Sequence, residues 1–340
     1  MAPPDPSSSS RPGLAHRYEL RSGPWARDLI GIVGVFVAVV VGLGTMSLTG
    51  VLPARALLSD PDSTILGTKA EMASSSALAP APSIAFVGDS SCLVNIDVPT
   101  LRSEGIEAVN LGTLSYLGID DFGRLAGRFC AGRSGMLIVL VVHPEGLQTA
   151  TTSPDHRRIL QSALEPGTLE VPGGLWDASS MAVFDGFRDR VLDRWIPTPL
   201  RGRLGARYGF TRDLRREVLA TGGTLEETSL FDPGSLPKGP GEYRMARRIS
   251  GECGMFRTRL PRDVRLRVLV SPIPASRALR GHEARMTEIH RQLSAWLETD
   301  QPALPMPVIL PDPSFGTVTH LLPPAARDYT RTLAPHLKPR

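Results

Sequence analysis

The sequence predicts an α/β domain with a parallel, doubly wound sheet, set behind one N-terminal apolar segment. Three observations carry this. Apolar runs at 83–87, 108–111, 136–142 and 264–270 stop at Gly88, Gly112, His143 and Ser271, as the strands of a buried sheet stop. Stretches with helical periodicity lie between several of them, and strands alternating with helices wind into a parallel sheet. Residues 29–48 are uncharged and, apart from glycines, polar only at Thr45 and Ser47.

Residues 1–24 are rich in Pro and Ser without an apolar period, so the tail to residue 28 is expected to be disordered. Residues 29–48 have the length of about twenty that a bilayer core requires of a helix. Arg11, Arg17, Arg21 and Arg27 come before this segment, and Arg55 alone follows closely. That bias puts the tail in the cytoplasm and the rest outside. The competing reading is a cleaved signal peptide, because Ala54-Arg55-Ala56 has the small-x-small form of a cleavage site. Residues 49–82 read as a linker, the stretch from 57 being rich in Ser, Ala and Pro.

The domain is expected over 83–340. Its first strand is 83–87, followed by a short helix at 99–104, a strand at 108–111, and a helix at 119–129 with Phe122, Leu125, Ala126 and Phe129 on one face. The continuous apolar run at 136–142 is the clearest strand. Residues 145–262 then interrupt the alternation and read as an insertion, with helices at 184–196 and 212–220. The first of these reads as core packing, or as a basic amphipathic helix lying on a membrane. A strand at 264–270, a helix at 283–297, a strand at 308–310 and a helix at 324–337 complete a five-stranded sheet.

Composition excludes several functions. A net charge of +4 over 340 residues, with basic residues scattered, gives no nucleic-acid footprint. Cys92, Cys130 and Cys253 show no C-x-x-C spacing, so neither a disulfide framework nor a zinc site is indicated. No metal or organic cofactor is expected, because a His/Cys/carboxylate cluster and a phosphate-binding glycine loop are both lacking.

Gly88-Asp89-Ser90 after the first strand, Asn110-Leu111-Gly112 after the second, and His320-Leu321 leading into Pro324-Ala325-Ala326-Arg327-Asp328-Tyr329-Thr330 resemble the SGNH (GDSL-like) hydrolase superfamily. The resemblance covers roughly 83–143 and 264–337. It implies a three-layer α/β/α, flavodoxin-like fold, with Ser90 as nucleophile and Gly112 as an oxyanion-hole glycine. Physical chemistry gives matching reasons. A serine hydroxyl requires a base within hydrogen-bond reach, for which His320 is the candidate. The amides of Ser90 and Gly112 can hold a developing oxyanion, and Asp89 can brace the turn through its backbone.

Two positions depart from the family pattern. Thr317 stands where the aspartate that orients the histidine is expected, which leaves Asp312 or a backbone carbonyl for that task. After the third strand the chain reads His143-Pro144-Glu145-Gly146 instead of the Gly-x-Asn-Asp block, so His143 and Glu145 are the available substitutes for a side-chain oxyanion donor. Tethered chains of this build resemble the SGNH-type partners of polysaccharide O-acetylation and the D-alanine transfer proteins. The implied function is a serine-dependent O-acyltransferase or esterase on envelope or exported polysaccharide, supplied by a multi-spanning membrane acyltransferase and held at the outer side of a bacterial inner membrane. The alternative is a catalytically inactive SGNH-like domain that binds glycan or scaffolds such an assembly; a third reading is a simple exported esterase whose insertion acts as a lid.

Overall fold

The computed structural model describes residues 31–38, 41–42, 61–74, 82–149, 153–164, 208–227, 243–299 and 303–338. The helix expected at 184–196 lies outside them, as does part of the apolar segment at 29–48. The described part of that segment, 31–38 and 41–42, is helical, with Ile32, Val33, Val35 and Val37 exposed. Among the described residues no helix is long and apolar enough to cross a membrane.

The chain runs through α1 (Pro61–Ser74), β1 (Ile84–Gly88), α2 (Ser90–Asn95), α3 (Val98–Ser103), β2 (Ala108–Asn110), α4 (Ile119–Cys130) and β3 (Leu137–Val142). It continues with α5 (Gly146–Thr149), α6 (Pro154–Leu164), α7 (Tyr208–Ala220), α8 (Arg248–Thr258), β4 (Arg265–Val270), β5 (Ile273–Pro274), α9 (His282–Trp296), β6 (Ile309–Leu310) and α10 (Pro323–Leu333).

The central sheet has the order β2-β1-β3-β4 with every pairing parallel. All residues of β1, β2 and β3 are buried, as expected of parallel strands covered on both faces. Side chains alternate between the two cores. Ala85, Val87, Ile138 and Leu140 join the core that takes in residues of α1, α4, α8 and α9. Ile84, Phe86, Leu137, Val139 and Val141 join the one with residues of α3 and α10. This is the α/β/α layering.

The sheet has four strands, not the expected five. Residues 309–310 pair in parallel with β5, and that two-residue ladder forms a separate sheet. Prolines explain the break. Pro272, Pro274, Pro307 and Pro311 have no amide hydrogen to donate, so only a stub of ladder fits between them.

Part of the expected linker is also structural. Residues 61–74 form α1, which buries Ile65, Leu66, Ala70, Met72 and Ala73 and packs against α4, α6 and α7. The described parts of the expected insertion likewise belong to the main core, through Leu160, Leu164, Leu214, Val218, Ile249 and Phe256. Arg157 of α6 reaches α4, its Nε donating to Asp121 at 3.0 Å and its Nη2 to Asp120 at 3.1 Å.

Candidate functional site

Ser90 sits at the first position of α2, directly after the carboxyl end of β1, where open α/β sheets place ligands. The turn that delivers it depends on Gly88 and Asp89. A Cβ on Gly88 would collide with the Val141 carbonyl across the sheet, so only glycine lets β1 and β3 close there. The buried Asp89 carboxylate accepts hydrogen bonds from the Ser91 amide at 2.9 Å, the Ser91 hydroxyl at 2.6 Å and the His143 amide at 2.8 Å. It thereby ties the start of α2 to the end of β3. Burial raises the Asp89 pKa, and these three bonds pull against that rise.

The hydroxyl of Ser90 is hydrogen-bonded to the hydroxyl of Ser115 at 2.8 Å. Ser115 lies in the exposed turn after β2, and nothing in the sequence pattern singled it out. The Ser90 amide opens α2 and has no hydrogen-bond partner among the described residues.

Gly112 differs from the expectation. Its amide donates to the Asn110 side chain at 2.8 Å, so it is not free to hold an oxyanion while that bond stands. The same Asn110 side chain donates to the carbonyls of Cys92 at 2.7 Å and Ile96 at 3.1 Å. Asn110 therefore fastens β2 to α2. Gly112 is a glycine for packing, because a Cβ would run into the backbone of Cys92 and Leu93.

His320 is held from α2 as well. Asn95, the last residue of that helix, donates to the Thr319 carbonyl at 3.0 Å and accepts from the Leu321 amide at 2.8 Å. One short helix thus carries Ser90 at one end and clamps the His320 loop at the other. The Thr317 hydroxyl accepts from the His320 amide at 3.1 Å. Thr317 shapes the turn and does not bond the ring.

The ring's partner is Glu227. His320 Nδ1 lies 2.7 Å from Glu227 Oε2, with side-chain exposures of 21% and 12%. The carboxylate accepts from Nδ1–H, which leaves Nε2 as the basic nitrogen. That Nε2 is buried and, among the described residues, makes no hydrogen bond. Asp312, expected as a possible orienting carboxylate, instead accepts from the Ser276 amide at 2.9 Å.

Glu227 comes from the region read as an insertion. Its segment is fastened to the domain by the Asn110 amide on the Gly222 carbonyl at 2.9 Å, the Leu225 amide on the Leu93 carbonyl at 3.1 Å, and the Thr224 hydroxyl on the Ile96 carbonyl at 2.8 Å. From α1, the buried ammonium of Lys69 donates to the carbonyls of Asn110, at 2.7 Å, and Gly223. A Cβ on Gly223, which has φ 106°, would strike the Asn110 carbonyl. Sequence reasoning missed Glu227, Ser115, Asn95 and Lys69. Only the Gly222-Gly223 pair hinted at a close approach.

His143 is buried under the site, close enough to His320 and His282 for each to disfavour its charging. Desolvation, aided by these two rings, brings its pKa down to about 3, so it is neutral near pH 7. Its Nδ1 accepts from the Glu145 amide at 3.3 Å. Neither His143 nor Glu145 hydrogen-bonds Ser90. Among the described residues no group of three or more His, Cys, Asp or Glu side chains is placed to hold a metal ion. No family model, curated protein or solved structure matches this chain.

Proposed function

We propose that this chain is an exported, membrane-anchored, serine-dependent O-acyltransferase or esterase acting on envelope or exported polysaccharide, of the SGNH type. One observation carries the reading: a carboxylate, Glu227, lies 2.7 Å from His320 Nδ1 while Nε2 is buried without a partner among the described residues. A histidine oriented on one nitrogen and unengaged on the other has the form of a general base.

In the reaction His320 Nε2 takes the Ser90 proton as Oγ attacks the acyl carbonyl of a donor ester. Collapse of the tetrahedral adduct expels the donor's oxygen, which recovers the proton from His320 and leaves an acyl-serine. A sugar hydroxyl or water then repeats the sequence and frees Ser90. The Ser90 amide and the Ser115 hydroxyl stabilise the oxyanion, Ser115 serving in place of the Gly112 amide. The cycle starts when the Ser90 hydroxyl exchanges its bond to Ser115 for one to His320 Nε2. The apolar segment at 29–48 anchors the chain to a bacterial inner membrane with the domain outside, where a multi-spanning acyltransferase supplies the acyl group.

The second reading, a catalytically inactive domain that binds glycan or scaffolds an assembly, is favoured by the bonds that occupy Ser90 Oγ and the Gly112 amide. A serine-directed fluorophosphonate, read by intact mass, separates the two. An adduct on the intact chain that disappears in Ser90→Ala and His320→Ala, and forms at least tenfold more slowly in Glu227→Gln, is the expected result. No adduct on a folded chain would make the inactive reading the better one.

A further inference from the structure

A trough with basic walls lies between the segment 243–247 and helix α9. Its larger part is a groove of about 560 Å³, within the ~300–1,000 Å³ range of ligand clefts. Arg244, Arg247 and Arg285 line it, and among the described residues no carboxylate does. Arg285, Gln292 and Trp296 are spaced seven and four residues apart, which puts them on one face of α9. Among the described residues the side chains of Arg247 and Arg285 form no ion pair, although Arg285 acts electrostatically on Glu288.

An adjoining groove of about 480 Å³ shares Arg244 and Arg285, adds Arg280, and ends at Tyr243 and His282. Its one carboxylate, Glu288, is already engaged by Arg291 at 2.7 Å and by Gln292. His282 packs edge-on against Tyr243 with ring centroids 5.5 Å apart. It is near enough to His143, under Ser90 and His320, to act on it electrostatically. The trough is joined to the candidate site through its wall: the Ala246 amide donates to the Leu147 carbonyl at 2.9 Å, and Leu147 lines a small pocket together with Asp89 and Ser115.

We propose that this trough binds an anionic glycan, one bearing carboxylate or phosphate groups, and presents it to Ser90. That the ligand is a polymer rests on the proposed acyl transfer to a polysaccharide; its charge rests on the trough. Guanidinium groups hold planar oxyanions through paired N–H bonds. Trp296, partly buried against the core, also lines the groove, and an indole is a side chain on which the C–H face of a sugar ring packs. Cations lining a cleft concentrate an anionic chain there.

Calorimetric titration of the intact chain with hexagalacturonate, and with maltohexaose as the uncharged control, tests this. Hexagalacturonate is expected to bind, more weakly as salt rises, and maltohexaose not to bind. The double variant Arg247→Glu/Arg285→Glu should lose at least tenfold in affinity for the uronate while its turnover of p-nitrophenyl acetate stays unchanged; the double alanine variant should lose less in the same direction. Equal binding of the two hexasaccharides would overturn the proposal, as would undiminished uronate affinity in the charge-reversed variant. So would a chain that ignores the uronate but binds dihexanoylphosphatidylglycerol through the same arginines. Uronate binding by a chain without ester turnover would remove the acyl-transfer reading and leave the trough's ligand standing.

Discussion

Replacing Lys69 by Met should remove a rise in stability with pH that the native chain shows between pH 7 and 9. Lys69 is fully buried, and its ammonium is bonded to the carbonyls of Asn110 and Gly223. Desolvation lowers its pKa from 10.5 to about 7, with Cys92 acting weakly the other way. Because the folded-state pKa lies below the unfolded one, the unfolded chain holds the extra proton across that window. Stability must therefore increase as pH rises from the folded toward the unfolded pKa, and level off below pH 7. With these two values the gain between pH 7 and 9 is about 2 kcal/mol. Cys130 and Cys253, pushed up to about 11 and about 12 by burial, lower stability above ~pH 8.5. They do so in both proteins, so the quantity to follow is the difference between native and Lys69→Met chains. Urea unfolding at pH 6, 7, 8 and 9 measures it. Parallel stability curves would refute the assignment of a desolvated, near-neutral amine. Whatever the slope, the variant leaves two buried carbonyls without their donor, which costs ~1–3 kcal/mol for each.

Other substitutions probe separate joints of the structure. Arg157→Met removes the nearest cation from the buried Asp121 carboxylate, leaving it Arg124 at 3.8 Å and the Gly118 amide at 3.2 Å, and should destabilise the chain by about 2–4 kcal/mol, less than for a fully enclosed pair because Arg157 is 36% exposed; urea midpoints show it. Gly223→Ala, at φ 106° against the Asn110 carbonyl, should cost at least ~2 kcal/mol and slow fluorophosphonate labelling by displacing Glu227. Ser115→Ala should lower kcat for an aryl ester by about tenfold or more with KM nearly unchanged, and Ser115→Thr should restore part of it. His143, with its pKa lowered to about 3, should make the chain lose stability as pH falls from 6.5 toward 3, and His143→Gln should flatten that loss in acid unfolding curves.

The strands of the central sheet could be read from sequence because a buried parallel strand is apolar along its whole length. The 136–142 run and β3 differ at one end by a single residue. The Gly88-Asp89-Ser90 turn could be read in part because Asp89 caps its near neighbour Ser91, whereas its bond to the His143 amide and the close approach of Gly88 to Val141 each span more than fifty positions and depend on the folded sheet. Helix α1 could not. Its apolar residues follow no single stripe, since Thr64, Thr68 and Lys69 are buried beside Ile65 and Leu66; Thr68 bonds the Thr64 carbonyl within the helix, whereas Lys69 finds its partners only in the folded chain.

The sequence alone determined the α/β alternation, the apolar segment at 29–48, and Ser90 and His320 as the residues to watch. Tertiary structure decided which carboxylate faces His320. Glu227 lies 93 positions away, in a region with no strand pattern. It arrives there because backbone bonds to Leu93 and Asn110, and the buried Lys69, fold its segment onto α2. A contact between residues so far apart in the chain depends on packing among distant elements, and no local periodicity encodes it.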